Sequence, residues 1–217
     1  MAKYDDIVNY KSKTNLENGV LINKLGLQNE EELEKAERMI TNYKLAKLYL
    51  EEQQIQFTVP YYLNIHKYLF DQIYPFAGEI RSEVIEKRIP FCLPHLIYEN
   101  LSSILNKAQQ LASKIKDEEM LIDSLAYLYS ELDIIHAFRE GNGRVQREFL
   151  RQFVNYVNKN VLLENYKLDY SLIPSDQKEG LINAVVYAEA TCELGPLKEY
   201  MKMAVKNEKL ENKPKSK

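Results

Sequence analysis

The sequence has little of several residue types on which particular classes of protein depend. Its two cysteines, Cys92 and Cys192, are too few for the disulfide framework of a small secreted domain and give no zinc-binding spacing. Seven glycines and seven prolines are too few for the many turns of a large β-protein. No stretch approaches the roughly 18 apolar residues of a membrane span, and the acidic N-terminal residues do not resemble a signal peptide. These absences predict a helical protein of a reducing compartment, which we expect to be the cytoplasm.

The charges nearly balance, with a formal net charge of −3 and a pI near 5.8. The chain as a whole therefore lacks the excess of positive charge that binds nucleic acid or an anionic membrane, so we expect neither as a partner. A hydrophobic content of 45% in 217 residues is enough for one substantial core. We therefore expect one domain over residues 1–205, followed by a flexible lysine-rich tail over residues 206–217.

Apolar residues recur at helical spacing along most of the chain, which predicts an all-α protein. Asn29 with Glu32 three positions later marks one helix start, Pro60 suits the first turn of a second helix, and Asp117 can cap a later one. The predicted helices cover residues 30–53, 60–74, 94–116, 118–135, 144–157, 176–192 and 196–208. His66 lies among aromatic residues in the second helix, where a structural role is the simpler interpretation.

Residues 79–93 break the helical period. Their β-branched residues alternate with charged ones, and Pro90 is tolerated only at a sheet edge. The pattern favours a short exposed hairpin, whose edge a partner peptide could extend as an added strand. A plain surface loop fits the pattern equally well.

The stretch from His136 to Arg147 combines a histidine, a carboxylate, a Gly-Asn-Gly turn and three arginines at the junction of two predicted helices. A glycine-rich turn that enters a helix is an anion site, because unpaired amides and the helix dipole both favour negative charge. Arg144 and Arg147 are three residues apart, so they lie on one helix face and can bind phosphate oxygens together. Glu140 can hold Mg²⁺, and His136 can accept a proton near neutral pH.

These groups together predict transfer of a phosphorus-containing group to a hydroxyl. The alternative is a helix-linking turn whose arginines pair with surface acids. Other phosphate and metal sites fit less well: the sequence has neither the P-loop pattern nor His-Glu-x-x-His, and a helix, not a strand, precedes the glycines.

At these residues the sequence resembles the Fic family, whose signature is His-Pro-Phe-x-Asp/Glu-Gly-Asn-Gly/Lys-Arg, usually extended by x-x-Arg. Every signature position matches except one, where Ala137 replaces proline. Three further segments, residues 23–26, 74–81 and 91–94, resemble Fic landmarks, so the resemblance spans roughly residues 15–200.

The resemblance implies a Fic fold, a helical bundle with a short β-hairpin flap, and transfer of AMP from ATP to a Ser, Thr or Tyr hydroxyl of a target protein. It implies that His136 is the base, that Glu140 binds Mg²⁺ and that Phe138 anchors the loop. The nucleotide phosphates would contact Gly141, Asn142, Gly143, Arg144 and Arg147. The target would dock along the flap at Ser82, Glu83, Val84, Ile85 and Ile89.

Regulation has two interpretations. Many Fic relatives carry an inhibitory Ser/Thr-x-x-x-Glu-Gly/Asn segment, and residues 175–180 match it, so Ser175 and Glu179 are inhibitory candidates. The simpler interpretation is that Ser175 caps a helix with Glu179 in its first turn. Inhibition would then come from an antitoxin-like partner protein, or be absent.

The function has alternatives within the same fold. Relatives transfer UMP, phosphocholine or phosphate, although the Gly-Asn-Gly-Arg-x-x-Arg form favours an intact triphosphate and hence AMP transfer. Ala137 also leaves room for a catalytically weak, nucleotide-binding regulatory module. A role as a toxin or effector, with secretion from the cytoplasm, and an oligomeric state both fit the sequence, which names no target.

Overall fold

The computed structural model describes residues 14–86 and 90–208. Seven α-helices dominate these residues, which confirms the prediction of an all-α protein. Their bounds are α1 Glu30–Leu50, α2 Val59–Phe70, α3 Ile97–Ala112, α4 Glu118–Ile135, α5 Asn142–Val157, α6 Lys178–Thr191 and α7 Gly195–Ala204. Short 3₁₀ helices occur at Pro94–Leu96, Tyr170–Leu172 and Ser175–Gln177, and a π-helical turn follows α5 at Asn158–Leu162.

Side-chain caps fix three of the helix starts. Asn29 accepts a hydrogen bond from the N–H of Glu32, Thr58 from that of Tyr61, and Asp117 from that of Met120. Each cap satisfies an amide that the first helical turn leaves without a partner. The predicted starts at residues 30, 60 and 118 are therefore correct to within one residue.

The α4–α5 hairpin forms the centre of the molecule. Helix α4 packs against α3, α5, α6 and α7, while α5 packs against α2 and the strand that follows it. The apolar residues that predicted both helices are buried, with Val145, Phe149, Phe153 and Val157 of α5 fully inaccessible. The loop between these two helices, residues 136–141, is thus held at both ends by the core.

A small antiparallel sheet was not predicted. It pairs β1, Tyr166–Leu168, with β2, Val205–Asn207. Tyr166 and Leu168 are buried, and the amide of Asn158 bonds both backbone groups of Tyr166, which fixes β1 against the end of α5. The prediction of a helix to residue 208 is wrong, because α7 ends at Ala204 where pairing with β1 takes over its backbone hydrogen bonds.

The predicted tail therefore begins too early. Lys206 and Asn207 belong to β2, and the N–H of Glu208 donates to the carbonyl of Asn165 at 3.1 Å. Residues 209–217 lie outside the described residues.

In the described residues, the hairpin predicted for residues 79–93 is present as a short pairing of its two arms. Glu86 and Pro90 form an isolated antiparallel bridge, and the N–H of Phe91 donates to the carbonyl of Ile85 at 3.4 Å. We refer to residues 81–86 and 90–92 as the flap, with 81–86 as its first arm and 90–92 as its second arm. Exposure alternates along its first arm, where Ser82, Val84 and Glu86 are exposed and the residues between them are partly covered. Ile89, predicted to contact a target, lies outside the described residues.

Candidate active site

The α4–α5 loop reverses the chain through two left-handed residues. His136 caps the C-terminus of α4 with φ 44° and ψ 60°, and its N–H donates to the carbonyl of Leu132 at 3.2 Å. Gly141, the residue at the N-cap position before α5, has φ 83°. A left-handed histidine is uncommon and costs conformational energy, so the surrounding structure must hold it in place.

The imidazole of His136 is buried and oriented. Its Nδ1 lies 3.2 Å from the carbonyl of Asp133, and its ring stacks on Phe91 with centroids 3.8 Å apart. A carbonyl can only accept, so Nδ1 carries the proton in the neutral ring and Nε2 is the basic atom. This is the tautomer that a general base requires.

The loop after His136 is closed by Phe138 and Asn142. Phe138 is fully buried and stacks on His66 at 3.9 Å and on Tyr62 at 5.7 Å. Asn142 accepts from the N–H of Phe138 at 2.8 Å and donates to its carbonyl at 2.7 Å. Phe138 is therefore an anchor, as expected, whereas the side chain of Asn142 stabilises the loop in this structure and leaves its backbone for a ligand.

His66 holds the same loop from α2. Its Nδ1 accepts from the N–H of Gly78 at 2.8 Å, and its Nε2 lies 3.0 Å from the carbonyl of Glu140. Burial lowers the pKa of His66 to about 4, so the ring is neutral and donates from Nε2. The structural role expected for His66 is the one observed, and it supports the candidate site directly.

The N-terminus of α5 is built to receive an anion. A Cβ on Gly141 would lie 2.3 Å from the ring of Phe70, so only glycine lets the loop lie this close to α2. In the described part of the chain, the N–H groups of Asn142 and Gly143 have no acceptor, while that of Gly141 donates to the Glu140 carboxylate at 2.8 Å. Unpaired amides at a helix N-terminus form an anion site.

Arg144 is held in one orientation by α1 and α2. Its guanidinium forms an ion pair with Glu37, lies 3.3 Å from the hydroxyl of Thr41 and covers the ring of Phe70 at 4.8 Å. Glu37 is buried and also accepts from the hydroxyl of Tyr74. Sequence reasoning missed Glu37 and Thr41. Their four-residue spacing with Leu33 places two polar residues on the buried face of α1, which is the signal that could have revealed them.

Arg147 lies one turn further along α5. Burial raises the pKa of the nearby Tyr129 hydroxyl, and the Arg147 guanidinium acts on it in the opposite direction. Arg147 is half-buried and lines a cleft of about 1200 Å³ together with Glu140 and Arg144. The walls of this cleft are α1, α5 and residues 167–171. His136 lies on the flap side of the loop, beneath Phe91, and does not line the described cleft.

Glu140 is the candidate for Mg²⁺. Its carboxylate is 42% exposed, lines the cleft and lies 3.4 Å from Arg144. Within residues 14–86 and 90–208, no cluster of three or more His, Cys, Asp or Glu side chains could hold a metal ion alone. Mg²⁺ commonly binds through one or two carboxylates, with phosphates and water completing its shell. Glu140 is a single accessible carboxylate beside the anion site, so it is suited to bind Mg²⁺ together with a phosphate.

The candidate inhibitory segment, residues 175–180, forms a 3₁₀ helix and the start of α6. Glu179 is exposed in the first turn of α6, and the described residues contain no hydrogen bond or ion pair between it and Arg147. Ser175 begins a 3₁₀ helix and does not cap α6, so its predicted capping role is wrong, while Glu179 in the first turn is correct. The reason is that α6 starts at Lys178, three residues after Ser175, so that Gln177 occupies its N-cap position.

Comparison with known proteins places this geometry in a family. The family model for the Fic/DOC family matches residues 56–154, which include α2, the flap, the loop and most of α5. Residues 56–154 belong to the Fic/DOC family. The chain is 30% identical over 148 residues to protein adenylyltransferase VbhT of Bartonella schoenbuchensis, covering 64% of this chain and 30% of that protein. It is 27% identical over 142 residues to the probable protein adenylyltransferase Fic of Escherichia coli, covering 61% and 66%.

Solved Fic domains share the fold. BepC of Bartonella tribocorum, determined with bound AMPPNP, has a TM-score of 0.76 at 19% identity and covers 90% of this chain and 97% of its own. The N-terminal Fic domain of a Bartonella quintana effector has a TM-score of 0.77 at 23% identity, covering 92% and 94%. At these identities the likeness concerns the fold. No described helix in this chain is long and apolar enough to cross a membrane.

Proposed function

We propose that this Fic domain is a protein adenylyltransferase that transfers AMP from ATP to a Ser, Thr or Tyr hydroxyl of a target protein. The observation that carries the proposal is the loop between His136 and Arg144. It joins a histidine whose Nε2 is the basic atom to a helix N-terminus with unpaired amides and to an arginine that is held in place. Relatives named protein adenylyltransferase support the same activity.

The residues of the chain have complementary roles in the proposed reaction. The amides of Asn142 and Gly143 bind phosphate oxygens at the α5 N-terminus, and Arg144 and Arg147 neutralise the charge of the triphosphate. Glu140 would hold Mg²⁺, which when bound neutralises phosphate charge. His136 Nε2 takes the proton of the target hydroxyl as its oxygen attacks the α-phosphorus. The bond from the α-phosphorus to the bridging oxygen breaks, and pyrophosphate leaves with that electron pair.

The flap supplies the target contact in this proposal. Ser82 and Val84 are exposed on its first arm, with Val84 66% accessible, while Glu83 and Ile85 are partly covered. An exposed strand edge can pair with an extended segment of another protein, and Val84 can contact a target side chain. The flap would then place the target hydroxyl at the histidine beneath Phe91.

In this proposal an inhibitory partner protein binds in the cleft. The cleft runs along α1 from Glu30 to Tyr49, and its volume exceeds that of a typical small-molecule pocket. A helix from an antitoxin-like partner could lie there against Arg147 and displace part of the triphosphate. A role as a secreted effector has support from the translocated Bartonella effectors that share the fold.

The test is labelling of protein by ATP that carries the label on its α-phosphate, with Mg²⁺ and cell lysate. We expect labelled protein with wild type and with the His95→Ala control, since His95 is exposed on the Pro94–Leu96 helix. We expect none with His136→Ala, although that variant still binds ATP.

Labelling from γ-phosphate-labelled ATP, UTP or a phosphocholine donor would identify a different transferase. ATP binding without labelling by any donor would favour a regulatory module. Tyrosine is abundant, with 16 in the chain, so the lysate must be compared with protein alone to separate self-modification.

A further inference from the structure

Arg81 lies buried at the base of the flap, with 4% of its surface exposed, and is surrounded by backbone carbonyl groups. Its Nε donates to the carbonyl of His136 at 2.7 Å and its Nη1 to that of Glu83 at 2.7 Å. Its Nη2 donates to the carbonyl of Cys92 at 2.5 Å and lies 3.4 Å from that of Ile135. One guanidinium thus contacts both arms of the flap and the end of α4.

Backbone hydrogen bonds run beside this side chain. The N–H of Arg81 donates to the carbonyl of Ala137 at 3.0 Å, and that of Cys92 to the carbonyl of Ile134 at 2.9 Å. Phe91, next to Cys92, stacks on the His136 ring. The flap base, the last turn of α4 and the histidine are therefore joined by contacts on both flap arms.

A guanidinium suits this position for two reasons. The last carbonyls of α4 have no partner within the helix and form the negative end of its dipole, so a cation there is favourable. A guanidinium also has five donors in a rigid planar fork, whereas a lysine carries three donors on one nitrogen. Lysine could supply the charge, but it could not reach carbonyls on both flap arms and on α4 at once. In the described residues Arg81 has no carboxylate partner in an ion pair, which leaves these carbonyls as its acceptors.

We propose that Arg81 is a positioning residue that attaches the flap to His136, so that a target docked on the flap meets the histidine in one fixed register. The attachment is a property of the fold. Its consequence for catalysis rests on the proposed function, because it concerns where a target hydroxyl lies relative to the base.

The attachment is tested by amide hydrogen exchange. In wild type, the amides of Arg81, Cys92 and His136 should share one protection factor, because a single opening must expose all three. In Arg81→Lys their exchange should accelerate together by about tenfold or more, the equivalent of losing one charge-assisted hydrogen bond. Lys202→Met, on α7 and paired with Glu199, is the control that should leave them unchanged. Different protection factors for these amides in wild type would overturn the attachment, even if the Arg81 variant does not fold.

The catalytic consequence is tested with the labelling assay on the same variant. Arg81→Lys should slow transfer to protein by on the order of 100-fold, because a misplaced reacting group costs about that much. Its KM for ATP should stay at the wild-type value, since Glu37 and Thr41 of α1 hold Arg144 independently of the flap. Transfer at the wild-type rate, or an equal loss of ATP binding, would contradict a positioning role. If wild type labels no protein, the proposed function fails, and the exchange measurement alone decides the attachment.

Discussion

Arg144 of α5 and Glu37 of α1 form an ion pair inside the cleft wall, so the arginine expected to bind phosphate is already paired with a buried carboxylate. Tyr74 donates to the same carboxylate and Thr41 lies beside the guanidinium. The arrangement orients Arg144 before any nucleotide arrives, and it also opposes phosphate binding with a nearby negative charge.

Replacing Glu37 with glutamine separates these two effects. Glu37→Gln should lower the free energy of unfolding by about 2 kcal/mol, because a buried charge-assisted hydrogen bond is lost. It should also strengthen ATP binding, because phosphate no longer competes with a carboxylate for Arg144. Denaturant titration and calorimetry with ATP measure the two quantities. Glu34→Gln, exposed one turn earlier, is the control and should change stability by less than about 0.5 kcal/mol. Weaker ATP binding in Glu37→Gln would show that orientation outweighs charge.

The two glycines that flank Asn142 should respond differently to alanine. Gly141→Ala meets the ring of Phe70 at 2.3 Å and has φ 83°, so we expect a loss of about 3 kcal/mol or more in stability. Gly143 is helical, and its Cβ would approach only the flexible end of Arg147, at 3.1 Å. Gly143→Ala should keep or raise stability by up to about 1 kcal/mol and weaken ATP binding by displacing Arg147. Equal stability of the two variants would contradict the close approach of the loop to α2.

His66 should make the fold sensitive to acid. Its pKa is lowered to about 4 by burial, while in the unfolded chain it is near 6.5, so the unfolded state binds the proton more readily between these values. The neutral His66 ring therefore contributes roughly 3 kcal/mol to the free energy of unfolding. This contribution is fully present above pH 6.5 and is lost as the pH falls to about 4. Denaturant titrations across this range should show a shallower decline for His66→Gln than for wild type. Parallel curves would mean that the pKa of His66 is the same in the folded and unfolded states.

The sequence predicted the parts of this fold that depend on local chemistry. Helix starts followed from Asn29, the residues around Pro60 and Asp117, because a cap and its helix are neighbours in the chain. The loop from His136 to Arg147 was predictable because its glycines and charges are contiguous. What could not be predicted depends on distant residues: β2 forms only because β1 lies beside it, and short strands carry little periodic signal.

The site shows the same division. His136, Glu140 and Arg144 were identified from one motif, whereas the residues that orient them come from three other segments. Glu37 lies 107 positions from its partner Arg144, while Arg81 and Phe91 lie 55 and 45 positions from His136. Such pairings become visible only when the helices are packed, because nothing local in α1 or the flap indicates the partner.

Ala137, where the family signature has proline, should matter little to the reaction. The residue is buried, its carbonyl accepts from Arg81, and in the described residues its N–H donates to no acceptor. Proline would therefore cost no hydrogen bond, but it disfavours ψ 60° at the preceding His136. We expect Ala137→Pro to change stability by less than about 1 kcal/mol and to leave transfer in the labelling assay close to the wild-type rate. An increase of several orders of magnitude would show that alanine had disabled the site.

Glu179→Gly should not activate the protein. Glu179 is exposed at the start of α6, where it has no ion pair with Arg147 in the described residues, and α6 packs against α4 and α7. The substitution removes a favourable charge from the first helical turn and adds a glycine, so stability should fall by about 1 kcal/mol. Transfer in the labelling assay should equal that of wild type, whereas Arg147→Ala should weaken ATP binding. A marked rise in transfer with Glu179→Gly would instead mean that residues 175–180 reach Arg147 in solution and restrain the triphosphate from within the same chain.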